Sequence, residues 1–454
     1  MSEWDGLVII GGGAAGMSAA SRARRNAPQM EITVFEASDY VSHIACGLPY
    51  YIADLIKDYN ELLVYTPDFF RKERRIQVHT GHRIDALDLD GRSLRATSIQ
   101  TGESWTQPFG KLIIASGGGP VAPRIDGIGL PNIFTLHSIK SGIAIKEFIQ
   151  KERPRRAAIV GGGYIGLEMA EALGVLGLDV TIIEALPHVM PPVDPDIAQV
   201  IENELIARNV DLRLGEPVQG FEGKDSVSRV VTGQGSYGVD LVILAIGVRA
   251  SSALAREAGI AIGETGAIRV DEHMATSMPG IYAAGDVAEV RHLVTGQPAY
   301  IPLGTTANKQ GRVAGDNAAG GSASFPGVVG TAITRVFELE VGRTGLTEAQ
   351  ARQAGFEPVS SCITHHTKAR FFPGTQPITT KLIADKSTGR LLGAQIAGKE
   401  GSAKRIDVPA VAIQQGLTVS AIPDLDLSYA PPFSPVWESV QVAAQELEKR
   451  LARS

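Results

Sequence analysis

Cysteine is nearly absent from this chain: its 454 residues include two, Cys46 and Cys362, which lie far apart in the sequence. Two isolated thiols cannot form a disulfide framework, and such sparse cysteine is typical of a reducing compartment. No uncharged apolar run reaches the roughly 18 residues that a transmembrane helix needs. The apolar N-terminus carries Glu3 and Asp5 where a signal peptide would be positively charged. We therefore expect a cytoplasmic protein that does not span a membrane.

An excess of positive charge is also missing. The chain has 43 Lys and Arg against 49 Asp and Glu, a formal net charge of −6, which argues against a nucleic-acid groove as its main function. Local basic clusters are still compatible with an anionic small molecule. Glycine, in contrast, is frequent at 51 residues and favours tight turns and close approach of the backbone to ligands. The length indicates about two to four domains, and we predict no metal site.

Two near-copies of one glycine-rich motif occur in the sequence, VIIGGGAAG (8–16) and AIVGGGYIG (158–166). Each consists of an apolar run typical of a strand, the pattern G-x-G-x-x-G and a helix-compatible segment. The first glycine permits a tight turn, the second lets the backbone approach a diphosphate, and the third lets helix and strand pack closely. The helix N-terminus would supply partial positive charge to the diphosphate. These glycines are Gly11, Gly13 and Gly16 in the first copy and Gly161, Gly163 and Gly166 in the second.

Each copy is followed by a second strand-like run that ends in an acid, Glu36 in EITVFEAS and Glu184 in DVTIIEAL. A carboxylate at this distance beyond the glycines can accept hydrogen bonds from ribose hydroxyls. One glycine motif is a weak signal, but strand, glycines, helix, strand and acid occurring twice predict two dinucleotide sites. Glu184 would repel a 2′-phosphate, and the following ALPHVM contains no Arg or Lys. NADH is therefore favoured, while NADPH stays open if His188 or a distant cation compensates.

Three further segments extend this pattern. KLIIASGGGP (111–120) and LVILAIGVRA (241–250) each end an apolar run in a glycine turn, and GIYAAGDVAE (280–289) brings Asp286 into a Gly-Asp turn. With these motifs the chain resembles, over essentially its whole length, the two-dinucleotide flavoprotein disulfide reductases. The resemblance implies an α/β fold with two Rossmann-like dinucleotide-binding domains, for FAD and NAD, and a C-terminal α+β dimerisation domain. The implied domains are 1–115 with 249–328 for FAD, 116–248 for NAD(P)H and 329–454 for dimerisation.

The same resemblance implies the residues that bind the two nucleotides. Those expected at FAD are Gly11, Gly13, Ala14, Ala15, Gly16, Glu36, Ala37, Arg83, Ser116, Gly117, Gly285, Asp286, Thr305 and Ala307. Those expected at NAD(P)H are Gly161, Gly163, Tyr164, Ile165, Gly166, Glu184 and Gly247.

Cys46 lies in VSHIACGLPYYI without the second cysteine of the C-x-x-x-x-C pair that many of these reductases carry. Proline is favoured in the first turn of a helix, so CGLPY predicts a cysteine at a helix start, where the thiolate is stabilised and the thiol pKa lowered. The alternative is an inert buried cysteine. By its position the residue resembles the redox cysteine of the single-cysteine branch, which includes coenzyme A disulfide, CoA-persulfide and polysulfide reductases, NADH peroxidase and NADH oxidase. Cys362 is expected to be an ordinary buried or partly exposed residue; a resolving cysteine from a second subunit is the alternative.

Coenzyme A (CoA) disulfide reductases are the members that the chain resembles most, in VSHIACGLPYYI, VVGTAITRVFELEVGRTGLTE and LDLSYAPPFSPVWESV. The first glycine loop has Ala14 and Ala15 where peroxidases and oxidases place a histidine, which weakens oxygen or peroxide reduction as the main activity. CoA is polyanionic, so local cations are needed to hold it. The residues that the resemblance places at CoA are Ser18, Arg22, Arg25, Ser42, Arg74 and Asn308. The alternative for any single arginine is a solvated helix face.

The C-terminal third, from about Gly330, alternates in hydrophobicity and contains the turn DKSTGR, which predicts an antiparallel sheet covered by helices. By resemblance this domain forms a homodimer and brings Tyr429 to the other subunit's flavin, as proton donor to the leaving thiol. The alternative for Tyr429 is packing in a proline-rich interface loop. Phe371 and Phe372 stand where some relatives have a second tyrosine, which argues against a two-tyrosine mechanism. A substitute proton donor at His365 or His366 is one interpretation, and ordinary surface histidines are the favoured one. We expect no rhodanese domain after the helical tail.

The sequence therefore predicts an FAD-dependent homodimeric oxidoreductase in which NADH supplies electrons and Cys46 forms a mixed disulfide with CoA. Its small-molecule substrate would be CoA disulfide, a CoA persulfide or polysulfide. The rivals are an NADH oxidase or NADH-dependent sulfur reductase, an electron-transfer flavoprotein serving a small redox protein, and a non-catalytic NADH sensor.

Overall fold

The computed structural model of the chain describes residues 5–453. The interpretation of the extreme N-terminus, including Glu3, lies outside this range, as do the outer ends of the first and last predicted domains. Within the range, no helix is long and apolar enough to cross a bilayer.

The first sheet has five parallel strands in the order β18-β7-β1-β2-β3. Helices cover both faces of such a sheet, so its central strands are continuous apolar runs, and β1 is buried throughout. The strand at one edge comes from far along the chain, which makes this unit discontinuous in sequence. The strands are β1 Leu7–Ile10, β2 Ile32–Glu36, β3 Gln77–Thr80, β7 Lys111–Ile114 and β18 Ile281–Ala283.

The second sheet repeats the parallel arrangement in the order β12-β11-β10-β16-β9. Its central strand follows the same rule as β1, since four of the five residues of β10 are buried. The strands are β9 Ile133–Thr135, β10 Arg156–Val160, β11 Asp179–Glu184, β12 Asp211–Leu214 and β16 Leu241–Leu244.

Small antiparallel sheets flank these two units. One packs at the carboxyl side of β2 and consists of β4 His82–Asp88, β5 Ser93–Ser98 and β6 Ser104–Pro108. A second consists of β13 Val218–Glu222, β14 Arg229–Thr232 and β15 Ser236–Gly238. Two-stranded pairs are formed by β8 Gly118–Pro120 with β17 Val248–Ala250 and by β19 Val290–Arg291 with β20 Pro298–Ala299. The pair β8–β17 lies where the chain leaves the first parallel sheet and returns to it.

The third sheet is antiparallel, as the alternation predicts, in the order β21-β22-β25-β24-β23. Its core includes residues of the last helix, such as Val440 and Leu447. The strands are β21 Ala332–Val336, β22 Leu339–Gly345, β23 Pro358–His366, β24 Pro377–Asp385 and β25 Leu391–Gly398.

Eleven α-helices and four 3-10 turns complete residues 5–453. The helices are α1 Ala14–Asn26, α2 Leu48–Ile52, α3 Pro67–Arg74, α4 Ile139–Glu152, α5 Tyr164–Val175, α6 Pro195–Ala207, α7 Ala253–Glu257, α8 Gly304–Ala318, α9 Glu348–Gln353, α10 Asp407–Gln414 and α11 Ser439–Leu451. The 3-10 turns are Ala45–Gly47, Tyr59–Leu62, Ala403–Ile406 and Val419–Ala421.

Two of these helices, α1 and α8, pack against each other unusually closely. A Cβ at Gly311 or Gly315 would lie 2.2 Å from the carbonyl oxygen of Ala15 or Ala19. Glycine at these two positions is therefore required for the backbones to approach, and the contact brings a late segment of the chain onto the first glycine loop.

Candidate active site

The first glycine loop has the geometry that its sequence predicts. Gly11 adopts φ +104°, and a Cβ there would lie 2.1 Å from the carbonyl oxygen of Ala115. A Cβ at Gly16 would lie 1.9 Å from the carbonyl oxygen of Gly11, so this glycine lets α1 pack on the strand. Gly13, the N-cap of α1, faces open space, with no atom within 4 Å of a Cβ. This open cradle at a helix N-terminus fits a diphosphate.

Glu36 closes the first loop at the end of β2. Its carboxylate accepts hydrogen bonds from the backbone N–H of Gly12 and of Ser38, each at 2.7 Å. Two backbone donors fix the orientation of the carboxylate, which leaves its other lone pairs for ribose hydroxyls. Ala37 follows directly after it.

The second glycine loop has nearly the same geometry as the first. Gly161 again has φ +104°, Gly166 again approaches the carbonyl of its first glycine, at 2.0 Å, and Gly163 again faces open space. Glu184 accepts from the N–H of Gly162 at 2.6 Å and of Leu186 at 2.8 Å. The residues present therefore fit a second dinucleotide as well as the first.

The helix that follows the second loop carries a tyrosine hydroxyl and a carboxylate that are largely shielded from water. The Tyr164 hydroxyl is buried and has no hydrogen-bond partner in the described part of the chain, and burial raises its pKa. Burial also raises the pKa of Glu168, one turn later, whose carboxylate accepts from the Thr334 hydroxyl at 3.0 Å. Glu168 was missed by the sequence reasoning, because an acid in an apolar helix gives no signal by itself. Ile165 lies between the two groups in sequence.

The Gly-Asp turn lies at the N-terminal half of α8. Gly285 has φ +83°, and its N–H donates to the buried side chain of Gln310 at 2.9 Å. Burial raises the pKa of Asp286, and burial and the charge of Asp286 raise the pKa of Tyr300 to about 12. Among residues 5–453, the buried Tyr300 hydroxyl has no hydrogen-bond partner. An unpaired hydroxyl beside a partly buried acid fits a polar ligand at this turn, and neither Gln310 nor Tyr300 has a sequence signal.

The other predicted cofactor residues surround these loops or lie near them. Thr305 and Ala307 are in the first turn of α8, and Ser116 donates to the carbonyl of Ser251 at 3.1 Å. Gly117 and Gly247 have φ +69° and +115°, the conformation that their glycine turns require. Ala14 and Ala15 begin α1, while the Arg83 side chain pairs with Asp85 at 2.7 Å on β4.

Cys46 is exposed and lies in the 3-10 turn Ala45–Gly47, directly before α2. The preceding segment is tied to the first glycine loop, since the Ser42 N–H donates to the Gly12 carbonyl at 2.9 Å. A Cβ at Gly47 would lie 2.4 Å from a terminal methyl of the Leu62 side chain, so a larger residue there would require that side chain to shift. The tertiary structure thus places the segment that leads to this exposed thiol against the first glycine loop.

The short helix α2 contacts both the second dinucleotide unit and the third, antiparallel unit. Lys146 of α4 donates to the Tyr51 carbonyl and pairs with Asp54, both at 2.8 Å. Arg335 of β21 lies over the Tyr50 ring at 5.9 Å and pairs with Glu171 of α5 at 2.6 Å. The position of the Cys46 segment therefore depends on contacts with residues distant in sequence, which could not be predicted from the segment itself.

The residues predicted to bind CoA are brought together on and around α1. The Ser18 hydroxyl donates to Asn308 at 2.6 Å, and Arg22 pairs with Asp316 at 2.7 Å. Arg74 donates to the Ser21 hydroxyl at 2.6 Å. The exposed Arg25 has no side-chain partner among residues 5–453.

Tyr429 is 47% exposed, on a face of the third unit that also exposes Phe371, Phe433, Val436 and Trp437. His365 lies next to this face, with Nε2 3.2 Å from the Trp437 carbonyl oxygen, and its ring is 5.8 Å from that of His366. Phe371 is 79% exposed.

Cys362 lies in β23, away from both glycine loops in the topology. Burial and the neighbouring Asp196 raise the pKa of this thiol to about 11. At neutral pH it is therefore a thiol rather than a thiolate, which disfavours a nucleophilic role.

Comparison with known proteins agrees with this geometry. Residues 5–311 match the family described as pyridine nucleotide-disulphide oxidoreductase, and residues 331–440 match its dimerisation domain. An NAD(P)H coenzyme A polysulfide/persulfide reductase from Pyrococcus horikoshii is 41% identical over 97% of this chain and 98% of its own. An NADH oxidase from Methanocaldococcus jannaschii is 36% identical over 98% and 99%. A coenzyme A disulfide reductase from Staphylococcus haemolyticus is 31% identical over 94% and 96%.

The solved structure of an NAD-dependent persulfide reductase from A. fulgidus has a TM-score of 0.96 and 39% identity, covering 99% of this chain and 84% of that one. These matches confirm the resemblance to coenzyme A disulfide reductases and the predicted fold class, while the exact domain limits stay predictions. The chain therefore belongs to the pyridine nucleotide-disulphide oxidoreductase family, as an FAD- and NAD(P)H-dependent oxidoreductase with a C-terminal dimerisation domain.

Proposed function

We propose that this protein acts in the cytoplasm as an NAD(P)H-dependent reductase of CoA disulfide, or of a CoA persulfide or polysulfide, with Cys46 as its single redox residue. The observation that carries the proposal is the exposed thiol of Cys46, in a segment whose Ser42 N–H is bonded to the first glycine loop. The other cysteine is partly buried and its pKa is raised to about 11. The descriptions of the Pyrococcus and Staphylococcus relatives support a sulfur substrate linked to CoA.

NADH is the favoured electron donor in this proposal. The Glu184 carboxylate is held by two backbone N–H groups at the position where a ribose binds, and it would repel a 2′-phosphate. His188, the nearby residue that could compensate, lies 3.1 Å from Glu202 and is already engaged. NADPH would therefore need a cation from elsewhere.

The chemistry of the chain's own residues begins with the Cys46 thiolate, which attacks one sulfur of CoA disulfide. A Cys46–CoA disulfide bond forms, the original S–S bond breaks, and one CoA leaves as its thiolate. When bound, FAD supplies the two electrons from NAD(P)H that cleave this mixed disulfide. Cys46 returns to its thiolate and the second CoA departs, with a proton from the phenol of the partner subunit's Tyr429.

The exposed apolar face of the third unit supports the homodimer that this step requires. Tyr429, Phe433, Val436 and Trp437 are 47%, 76%, 67% and 51% exposed. Clustered large apolar side chains in solvent are typical of protein interfaces. In this proposal a second copy of the chain covers this face, and the partner's Tyr429 lies at Cys46 of the first copy.

Mass spectrometry of the purified, unreduced protein tests the proposal. We expect a fraction of the chain to carry an adduct with the mass of CoA on Cys46, which dithiothreitol removes. Cys46→Ser should abolish NADH-dependent reduction of CoA disulfide while FAD stays bound, and Cys362→Ser is the matched control with normal turnover. Full activity of Cys46→Ser would reject Cys46 as the nucleophile.

An NADH oxidase is the second candidate, because the Methanocaldococcus relative carries that description. Ala14 and Ala15 leave the first glycine loop without an imidazole for oxygen chemistry. We therefore expect the turnover of CoA disulfide to exceed that of oxygen under air. The opposite ranking would favour the oxidase.

A further inference from the structure

Two hydrogen-bonded side-chain pairs bridge the groove between α1 and α8, and both join residues separated by the same number of positions in the sequence. The Ser18 hydroxyl donates to Asn308 at 2.6 Å, and the Asn26 amide donates to Asp316 at 2.7 Å, each across an offset of 290 positions. Asn308 and Asp316 are two helical turns apart, and Arg312 lies midway between them on the same face of α8. The same offset places Arg312 opposite Arg22 of α1.

Arg22 and Arg312 differ in their partners. Arg22 donates to one oxygen of Asp316 through Nε at 2.9 Å and Nη2 at 2.7 Å. That carboxylate is 6% exposed and also accepts from Asn26. Arg312 is exposed, and its side chain has no partner within the described range of the chain. Within residues 5–453, Asp316 therefore compensates Arg22 alone, and Arg312 leaves an unneutralised positive charge on this face of α8.

A second cation near the groove is also engaged. The Arg74 guanidinium donates to Ser21 at 2.6 Å and lies 5.2 to 5.5 Å from the ring centres of Tyr65, Phe69 and Phe70. Binding a ligand through Arg22 or Arg74 would require exchanging these contacts. Arg312 requires no such exchange, because its guanidinium has no partner among the residues that the structure describes.

We infer that Arg312 is a further specificity-determining residue, whose guanidinium binds a phosphate at the nucleotide end of CoA in the α1–α8 groove. A planar guanidinium can bind two phosphate oxygens at once, and Arg22 opposite adds attraction without leaving Asp316. The inference deepens the proposed function and rests on it for the identity of the ligand. It gives the disulfide substrate a recognition element distant from its sulfur atoms.

The test is calorimetric binding of adenosine 3′,5′-bisphosphate, the nucleotide end of CoA, to the FAD-loaded full-length protein. We expect Arg312→Ala to raise the Kd of this probe roughly tenfold, the effect of losing one charged hydrogen-bonding contact. Arg312→Lys should recover part of the affinity because the charge remains. Arg256→Ala is the matched control and should bind the probe normally, because Arg256 is exposed on α7 and its side chain has no partner between residues 5 and 453.

An unchanged Kd in Arg312→Ala, or a wild-type protein that does not bind the probe, would overturn the inference. Turnover separates this failure from that of the proposed function. Wild-type protein that reduces CoA disulfide while Arg312→Ala binds the probe normally contradicts the role of Arg312 alone. A wild-type protein that reduces no CoA compound, while Arg312→Ala loses the probe, contradicts the proposed reaction and leaves the phosphate contact in place.

Discussion

Replacing Lys381 by methionine should loosen the junction between the second dinucleotide unit and the dimerisation domain. The Lys381 ammonium, 5% exposed, lies 2.8 Å from Asp196, 2.8 Å from Glu348 and 3.5 Å from Asp194. Asp194 and Asp196 begin α6, whereas Glu348 and Lys381 belong to the third unit. Methionine keeps most of the volume of lysine but leaves three carboxylates facing each other without their shared cation.

The size of the effect follows from Glu348. Burial alone would raise its pKa, but hydrogen bonds from Lys381 and Ser360 and the charge of Lys381 outweigh burial and lower it from 4.5 to about 2. The shift of 4.5 − 2 = 2.5 units corresponds to at most about 3 kcal/mol for Lys381, because Ser360 and Arg352 also donate to this carboxylate and lower its pKa. Removing one partner of a buried ion pair generally costs roughly 3 to 5 kcal/mol, which is an independent estimate of the same effect. We therefore expect Lys381→Met to lower the free energy of unfolding by about 3 kcal/mol.

The pH dependence has a defined sign. The folded pKa of Glu348 lies below its unfolded value, so its contribution is complete above pH 4.5 and is lost as the pH falls toward 2. The difference in stability between the wild type and Lys381→Met should accordingly narrow between these two values. It should stay constant between pH 5 and 8.

This effect is measured by urea unfolding of the FAD-loaded protein, as the difference in unfolding midpoint between Lys381→Met and a control variant. Lys386→Met is the control, because Lys386 follows the same strand, is exposed and has no side-chain partner within residues 5–453. Its unfolding midpoint should stay near that of the wild type, since surface substitutions usually change stability by less than about 0.5 kcal/mol. Equal midpoints for the two variants would refute the reasoning from the buried cluster.

Two further predictions concern the nucleotide loop and the cysteine segment. Gly163→Ala should raise the KM for NADH about tenfold or more, because its Cβ enters open space that the diphosphate needs, and its unfolding midpoint should be unchanged. Gly166→Ala should instead lower the unfolding midpoint, because its Cβ would lie 2.0 Å from a backbone oxygen. Steady-state kinetics and thermal unfolding separate these outcomes, and equal behaviour of the two variants would contradict the assignment. Lys146→Met should lower kcat/KM for CoA disulfide several-fold, as it frees the Tyr51 carbonyl at the end of α2. Lys57→Met, which removes an exposed lysine nearby, should be neutral, and equal kinetics for both would argue against the role of Lys146.

Much of the nucleotide-binding geometry could be predicted from the sequence. Gly11, Gly16 and Glu36 act through backbone conformation and short-range hydrogen bonds, which are encoded within about thirty contiguous residues. The same holds for the second copy, so a contiguous pattern was sufficient twice. The antiparallel third sheet was also predictable, because alternation and turn residues are local signals.

The partners of long side chains could not be predicted in the same way. The pairs Arg22–Asp316 and Arg335–Glu171 join residues 294 and 164 positions apart, and the sequence contains many arginines and acids that could have paired instead. The unpartnered hydroxyl of Tyr300 and the anchoring amide of Gln310 likewise have no local pattern. Resemblance to a family named Arg22 and Arg74 as substrate contacts, but it could not reveal that both are engaged within the chain.

By itself, the sequence determined that two dinucleotide loops exist, where their turns and acids lie, and that one lone cysteine precedes a short helix. Only the tertiary structure decided that the segment before this cysteine packs on the first loop, and which cations within residues 5–453 face solvent unpaired. The reason is physical: a glycine turn is set by the torsion angles of its own residues, whereas the neighbours of a side chain depend on how distant strands and helices pack.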